Sequence, residues 1–241
     1  MRQEWIRRLS GPWPVLLLVF VAACVCSPIR RGELVFLDPS NLTEIVRMVS
    51  VKGILAVGMT LVIITGGIDL SVGAILAFAS TMAAVLLMQR HMSAIPTIFL
   101  TLLPGIAFGV LAGLLITWGR FQPFVATLAL MIAIRGAARL ITGGPSQPIG
   151  YGPDGADPAF AWIAYRFDLW FIPIPAQAIL FLVVVGVFHI LLSKTRYGRN
   201  VYAIGGNQEA ARLAGINVGF TIIVTYALSG LLSALGGIIQ C

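Results

Sequence analysis

Charge is scarce in this sequence. Asp, Glu, Lys and Arg make up 10% of its 241 residues, where an average soluble domain carries roughly 25%. Lysine is confined to Lys52 and Lys194. Neither closes a GxxxxGK[ST] loop, so the chain has no Walker A motif and any ATP chemistry falls to a partner. Histidine is confined to His91 and His189, with no HExxH, no paired CxxC and no serine elbow around them. An intramembrane enzyme needs a nucleophile beside a base, or a metal cluster, and the sequence offers neither. Of the three cysteines, Cys24 and Cys26 lie too close along one helix to bridge each other, and Cys241 is the last residue. No disulfide framework or metal site is implied.

What is abundant is hydrophobicity, at 59% of residues with a mean hydropathy of +0.96. A helix needs about 20 mostly apolar residues to cross a bilayer. Seven runs qualify as spans: Trp13 to Pro28, Ile45 to Thr65, Ile68 to Met88, Ile95 to Trp118, Phe121 to Ile141, Ile172 to Leu192 and Gly219 to Ile239. The expected fold is all-α, a polytopic integral membrane protein with one membrane domain over 1–241 and no soluble domain. The net charge of +7 comes without a basic run interleaved with aromatics, so nucleic acid is discarded as a partner and membrane lipid retained.

The cations instead serve as topology signals. With the N-terminus inside, Arg2, Arg7, Arg8, Arg120, Lys194, Arg196, Arg199 and Arg212 fall in the cytoplasm. Arg30, Arg31, Arg90 and Arg166 fall outside, with Arg139 at the outer edge. Val21-Ala22-Ala23-Cys24 loosely resembles a lipoprotein cleavage box, but an uncleaved first span is the preferred reading.

Three elements stand out. The first is a polar island between two apolar runs, Gly198 to Ile216, inside a cytoplasmic loop over 194–217. Its EAARLAG core, Glu209 to Gly215, reads as a short amphipathic helix with a small face of Ala210, Ala211 and Ala214 and charges at Glu209 and Arg212. Gly205 and Gly206 punctuate its start, and Asn207 is the N-cap. A small-faced helix in such a loop points to a docking partner.

The second is TGGIDLSVG, Thr65 to Gly73, which joins two spans with almost no polar loop. Gly66 and Gly67 break one helix, and Asp69 with Ser71 can cap the next. An acid this close to hydrocarbon costs about 2.5 to 3.5 kcal/mol unless paired or solvated. It reads either as an interfacial cap or as a broken-helix element facing a water-filled path, and the two are compatible.

The third is a set of polar and small residues within the spans. Arg135 and Arg139 share a face, either snorkelling to the outer interface or, for Arg135, donating into a cavity. Gln122, Pro123 and Thr127 at the opposite end are similarly open, and Gly66, Gly67, Asp69, Ser71, Gln122, Thr127 and Arg135 are the candidate residues of a translocation pathway. Stripes of small residues at Gly105, Gly109 and Gly113, at Gly73, Ala77 and Thr81, and at Ser229, Ser233 and Gly237 are read as helix packing. The loop over 142–171, rich in Gly, Pro and aromatics, reads either as a structured periplasmic cap or receptor contact, or more simply as an interfacial aromatic belt of Trp162 and Trp170.

NLTEIVRMVSVKGILAVGMTLVIITGGIDLSVG, GRFQPFVATLALMIAIRGAARLITGG and YGRNVYAIGGNQEAARLAGI, taken in that order, resemble the membrane subunit of bacterial ribose-class sugar ABC importers. The middle segment most resembles permeases of the galactofuranose type. The resemblance implies a homodimeric or heterodimeric permease in the bacterial inner membrane. It would receive a monosaccharide from a periplasmic binding protein and be driven by ATP-binding subunits that carry ATP and Mg. It also implies that Glu209, Ala210, Ala211 and Gly215 match an EAA-type coupling signature, without its apolar Leu-Pro tail. Family members run on for several more spans, so the sequence is expected to be truncated at its C-terminal end. The rival readings are a branched-chain amino-acid permease, and an ion-coupled secondary transporter for which Asp69 is the sole acidic candidate.

Overall fold

The computed structural model describes residues 12–30, 33–143, 149, 157–169 and 172–241. Arg2, Arg7, Arg8, Arg31 and Trp170, together with residues 144–148, 150–156 and 171 of the 142–171 loop, lie outside the described residues. Among the described residues, nine α-helices follow in order: α1 (Pro12–Val25), α2 (Pro39–Ile64), α3 (Val72–Met88), α4 (Ala94–Thr117), α5 (Pro123–Thr142), α6 (Ala176–Lys194), α7 (Arg196–Gly206), α8 (Gln208–Leu213) and α9 (Val218–Gln240). Strands β1 (Ile29–Arg30) and β2 (Glu33–Leu34) pair antiparallel, as do β3 (Arg166–Leu169) and β4 (Ile172–Pro175). The chain is an all-α polytopic membrane protein.

All seven expected spans are helical, but not equally long. Helices α2, α4, α5, α6 and α9 are long and apolar enough to cross a membrane, while α1 and α3, at 14 and 17 residues, are shorter apolar helices. Two starts differ from expectation. Helix α3 begins at Val72 rather than Ile68, because Gly66 turns at φ +78° and 67–71 do not resume a helix. Helix α6 begins at Ala176 rather than Ile172, because Ile172–Pro175 pair with Arg166–Leu169 as strands.

Start signals for the helices lie in short polar side chains. The Asp38 carboxyl accepts the Ser40 amide at 2.8 Å ahead of Pro39, and Asn217 Oδ1 accepts the Phe220 amide at 3.0 Å at the start of α9. The Ser40 hydroxyl and amide hold the Asp38 carboxyl below its usual range.

Helix α9 is the hub. Two thirds of its apolar window (67%) is buried, against 22 to 33% for the other crossing helices, which leave most of their apolar surface exposed. Its partners are α4, α2 and α3. A Cβ on Gly113 would sit 2.6 Å from Ile223 Cα, one on Gly109 would collide with the Tyr226 carbonyl, and one on Gly105 would meet Ala234 and the Gly230 carbonyl. The backbones of α4 and α9 therefore touch, as lipid-immersed helices require when packing replaces the hydrophobic effect. Gly237 faces α3, where its Cβ would lie 2.8 Å from Ala79 Cβ. Ser229 and Ser233 are buried on the same helix. The stripe on α3 behaves differently: Gly73 and Ala77 are exposed and Thr81 is half-buried.

Candidate functional sites

The segment between α2 and α3 is a pinned junction. Asp69 and Ser71 are both buried. Asp69 Oδ1 accepts the Ser71 amide at 2.9 Å and the Ser71 hydroxyl at 2.6 Å. Asp69 Oδ2 accepts the Ser229 hydroxyl of α9 at 2.9 Å. Three donors thus satisfy a carboxyl that would otherwise be costly so near hydrocarbon. One residue earlier, the Ile68 carbonyl accepts the Tyr226 hydroxyl at 3.2 Å and the Thr127 hydroxyl at 3.3 Å. Gly67 gives Tyr226 its access, since a Cβ there would lie 2.6 Å from the phenol oxygen.

The expected capping role changes in detail. Ser71 occupies the N-cap of α3 but makes no side-chain cap bond, because its hydroxyl is spent on Asp69. Asp69 closes an Asx-type turn onto Ser71 rather than reaching the first amides of α3. Of the other residues assigned to a pathway, Thr127 joins this junction, whereas Gln122 and Arg135 are exposed on α5 and take no part in it.

The second site is a pair of short helices, α7 and α8. Thr195 caps α7 by accepting the Gly198 amide at 3.2 Å. Gly198, Val201 and Ile204 bury one face of α7, and Tyr197 shares a 2.8 Å hydrogen bond with Thr225 of α9. Burial pushes the Tyr197 phenol above the usual tyrosine range, against the opposing pull of that hydrogen bond. Gly205 and Gly206 end α7 rather than opening a loop before α8. Gly205 lies so close to α2 that a Cβ would collide with the Ile64 carbonyl.

Asn207 then accepts the Ala210 amide at 2.9 Å and starts α8. The helix closes on Gly215 at φ +83°, with the Gly215 amide donating to Arg212 O at 3.0 Å and the Ile216 amide to Ala211 O at 3.1 Å. This is a Schellman termination, which the left-handed glycine makes possible. The three alanines do not form one outward face. Ala211 points inward against Ile216 and the core, while Ala210 and Ala214, four positions apart, share the exposed face from which the intervening Ala211 is turned away. The outward surface carries Glu209, Ala210, Arg212 and Leu213, the last 82% exposed. Glu209 and Arg212 stand 3.8 Å apart as an exposed pair, a contact of little energetic worth.

Helix α7 was legible and missed: Tyr197, Val201 and Ile204 recur at helical spacing behind a threonine cap. The partnership of Ser229 and Tyr226 with the junction had no local signal, since it joins residues about 160 positions apart.

Both sites lie at the same end of the bundle. Gly205 touches the end of α2, and Tyr197 reaches the first turns of α9. At the other end Thr43 donates to the Pro173 carbonyl at 2.9 Å, and Asp157 accepts the Ala94 amide at 2.8 Å. Successive spans therefore alternate in direction.

Known proteins resemble this chain along most of its length. The ribose import permease protein RbsC of Bacillus subtilis (strain 168) is 39% identical over 98% of this chain and 69% of its own length. The ribose import permease protein RbsC of Escherichia coli (strain K12) is 40% identical over 85% of this chain and 62% of its own. The galactofuranose transporter permease protein YtfT of the same strain is 40% identical over 81% of this chain and 54% of its own. The chain thus spans between about half and two thirds of the length of these relatives. No solved structure matches it. A family described as branched-chain amino acid transport system, permease component, matches residues 41–241, and the chain belongs to that permease family.

Proposed function

We propose that the chain is the membrane-spanning permease subunit of an ATP-driven importer that moves a monosaccharide across the bacterial inner membrane by alternating access. One observation carries the sugar assignment: relatives 38 to 40% identical over three quarters or more of this chain are named as ribose, galactofuranose and fructose permeases. The family description offers branched-chain amino acids as a second reading, but none of these relatives' names supports it.

In this reading the whole of 1–241 belongs to one transmembrane permease domain. Arg120, Lys194, Arg196, Arg199 and Arg212 crowd the end that carries α7 and α8, and the positive-inside rule favours the cytoplasm for that end and for the N-terminus. The 194–217 segment is then the coupling loop and 142–171 the periplasmic one. Gly205 seats α7 against α2, and Gly206 and Asn207 form the corner that presents α8. Glu209, Ala210, Arg212 and Leu213 offer the surface to an ATP-binding subunit, with Ala211 and Gly215 fixing the helix from behind. ATP and Mg reside on that partner.

The mechanical argument is physical. Asn207 and Gly215 close α8 at both ends, and α7 ties it to α2 and α9. A push on α8 therefore reaches the spans as a rigid displacement. A second permease subunit and a periplasmic sugar-binding protein complete the assembly. Asp69, Ser71 and Thr127 act in it as the hinge lock between α2 and α3, while Gly66 and Gly67 supply the turn.

The test is affinity co-purification of the chain from its host membranes, comparing wild type with Leu213→Glu. This substitution alters an exposed residue and leaves the caps of α8 intact. Wild type is expected to recover an ATP-binding protein that Leu213→Glu recovers weakly. Equal recovery, or none with wild type, would contradict the docking role.

A further inference from the structure

One turn of α9 holds two other parts of the chain. Thr221, Thr225, Ser229 and Ser233 recur every four residues on one buried stripe of that helix. Three of them turn their protons back on α9. Thr221 donates to the Asn217 carbonyl at 2.9 Å, Thr225 to the Thr221 carbonyl at 2.8 Å and Ser233 to the Ser229 carbonyl at 2.8 Å. Ser229 donates outside the helix, to Asp69. A hydroxyl has one proton, so Thr225, having spent its own on Thr221, is the acceptor in its 2.8 Å bond with Tyr197. The Tyr197 phenol therefore donates. It fixes α7 to α9 one helical turn, about 5.4 Å, from the residue that grips Asp69. On the same turn Tyr226 donates to the Ile68 carbonyl.

The far end of α7 meets the other side of this junction. Gly205 is pressed against the carbonyl of Ile64, the last residue of α2. Helix α7 thus runs from the helix that enters the junction to the helix that holds it, and the Asp69 side chain closes the triangle. Packed interfaces move between discrete arrangements rather than deforming continuously. A tilt of α7 therefore either carries this turn of α9 with it or releases Thr225.

We infer that Tyr197 is a positioning residue for coupling: its phenol hands the movement of α7 and α8 to the turn of α9 that holds Asp69, and so sets when the α2–α3 junction is released. The inference rests on the permease reading above and names a relay within it. Gly205 supplies the second leg, at the end of α2. Removing the phenol oxygen leaves the ring in place and the Thr225 proton still bound to Thr221, so Tyr197→Phe weakens the relay without stranding a buried donor.

The assembly is purified with its partners from its host, reconstituted in vesicles with the periplasmic binding protein, and scored for sugar taken up per ATP hydrolysed. The sugar is whichever of D-ribose, D-galactose or D-fructose the host accumulates. Tyr197→Phe and Thr225→Val are expected to lower that ratio several-fold with ATP hydrolysis retained, while Thr225→Ser, which keeps the hydroxyl, stays near wild type. The double variant Tyr197→Phe/Ser229→Ala is expected to fall no further than the lower of its two single variants, since both act on one relay. If Thr225→Val fails to fold, Tyr197→Phe alone decides. A ratio unchanged in Tyr197→Phe, or a double variant in which the two losses multiply, would overturn the relay. Absence of ATP-driven uptake in wild type defeats the permease reading, whereas wild type and Tyr197→Phe coupling equally well defeats this inference alone.

Discussion

The Ser229 hydroxyl donates to Asp69 Oδ2 at 2.9 Å, tying the hub helix to the turn between α2 and α3 across 160 residues of sequence. Removing one partner of a buried hydrogen bond leaves the other unsatisfied, at a cost of about 1 to 3 kcal/mol. Ser229→Ala is expected to fall in that range. Asp69→Ala should cost more, because it strands the Ser71 amide, the Ser71 hydroxyl and the Ser229 hydroxyl together. Thermal unfolding in detergent ranks the two variants; equal stability to wild type would contradict the lock.

Glycine-to-alanine scanning should separate touching helices from lipid-facing ones. At Gly109 the added methyl collides with the Tyr226 carbonyl, and overpacking of this kind costs about 1 to 3 kcal/mol. At Gly136 nothing lies within 4 Å of the added carbon, and alanine is the better helix former by about 0.5 to 1 kcal/mol. Gly109→Ala is therefore expected to lower the melting temperature and Gly136→Ala to hold or raise it. The same measurement with the two reversed would overturn the assigned contact between α4 and α9.

Coupling makes a separate claim. Glu209→Lys changes an exposed side chain, and Gly215→Asp strains a left-handed position. Both variants should insert in the membrane at normal levels, yet the ATP-binding partner should hydrolyse ATP without transport. Normal uptake in both would contradict the docking of α8.

Asp157 supplies the pH dependence. The amides of Ala94 and Ala159 donate to its carboxyl and hold it below its ordinary 3.8. A carboxyl depressed in the folded state stabilises the fold fully above its unfolded value and loses that contribution as pH falls through the lower, folded one. The start of α4 should therefore loosen only on strong acidification. Hydrogen exchange at Ala94 and Thr97 that rises in acid beyond the intrinsic rate, and an Asp157→Asn variant that lacks the transition, would bear this out; identical profiles would not.

The sequence made the spans legible because hydropathy is a local property, read from about 20 residues at a time. It made α8 legible because Asn207 and Gly215 are local punctuation. What it hid was pairing. Nothing near Asp69 announces Ser229, and nothing near Gly109 announces that Tyr226 will lie against it. The stripe on α4 and the stripe on α3 look alike as small residues at helical spacing, yet one meets a helix and the other does not. The inward turn of Ala211 was likewise invisible until Ile216 folded back over it.

The central claim, transport of a monosaccharide, is tested most directly by uptake. The gene is deleted in its host, then restored, and cells are given radiolabelled D-ribose, D-galactose, D-fructose or L-leucine. The account predicts that accumulation of at least one sugar is lost on deletion and regained on restoration, while leucine uptake is unchanged. Loss of leucine uptake with every sugar unaffected would contradict it.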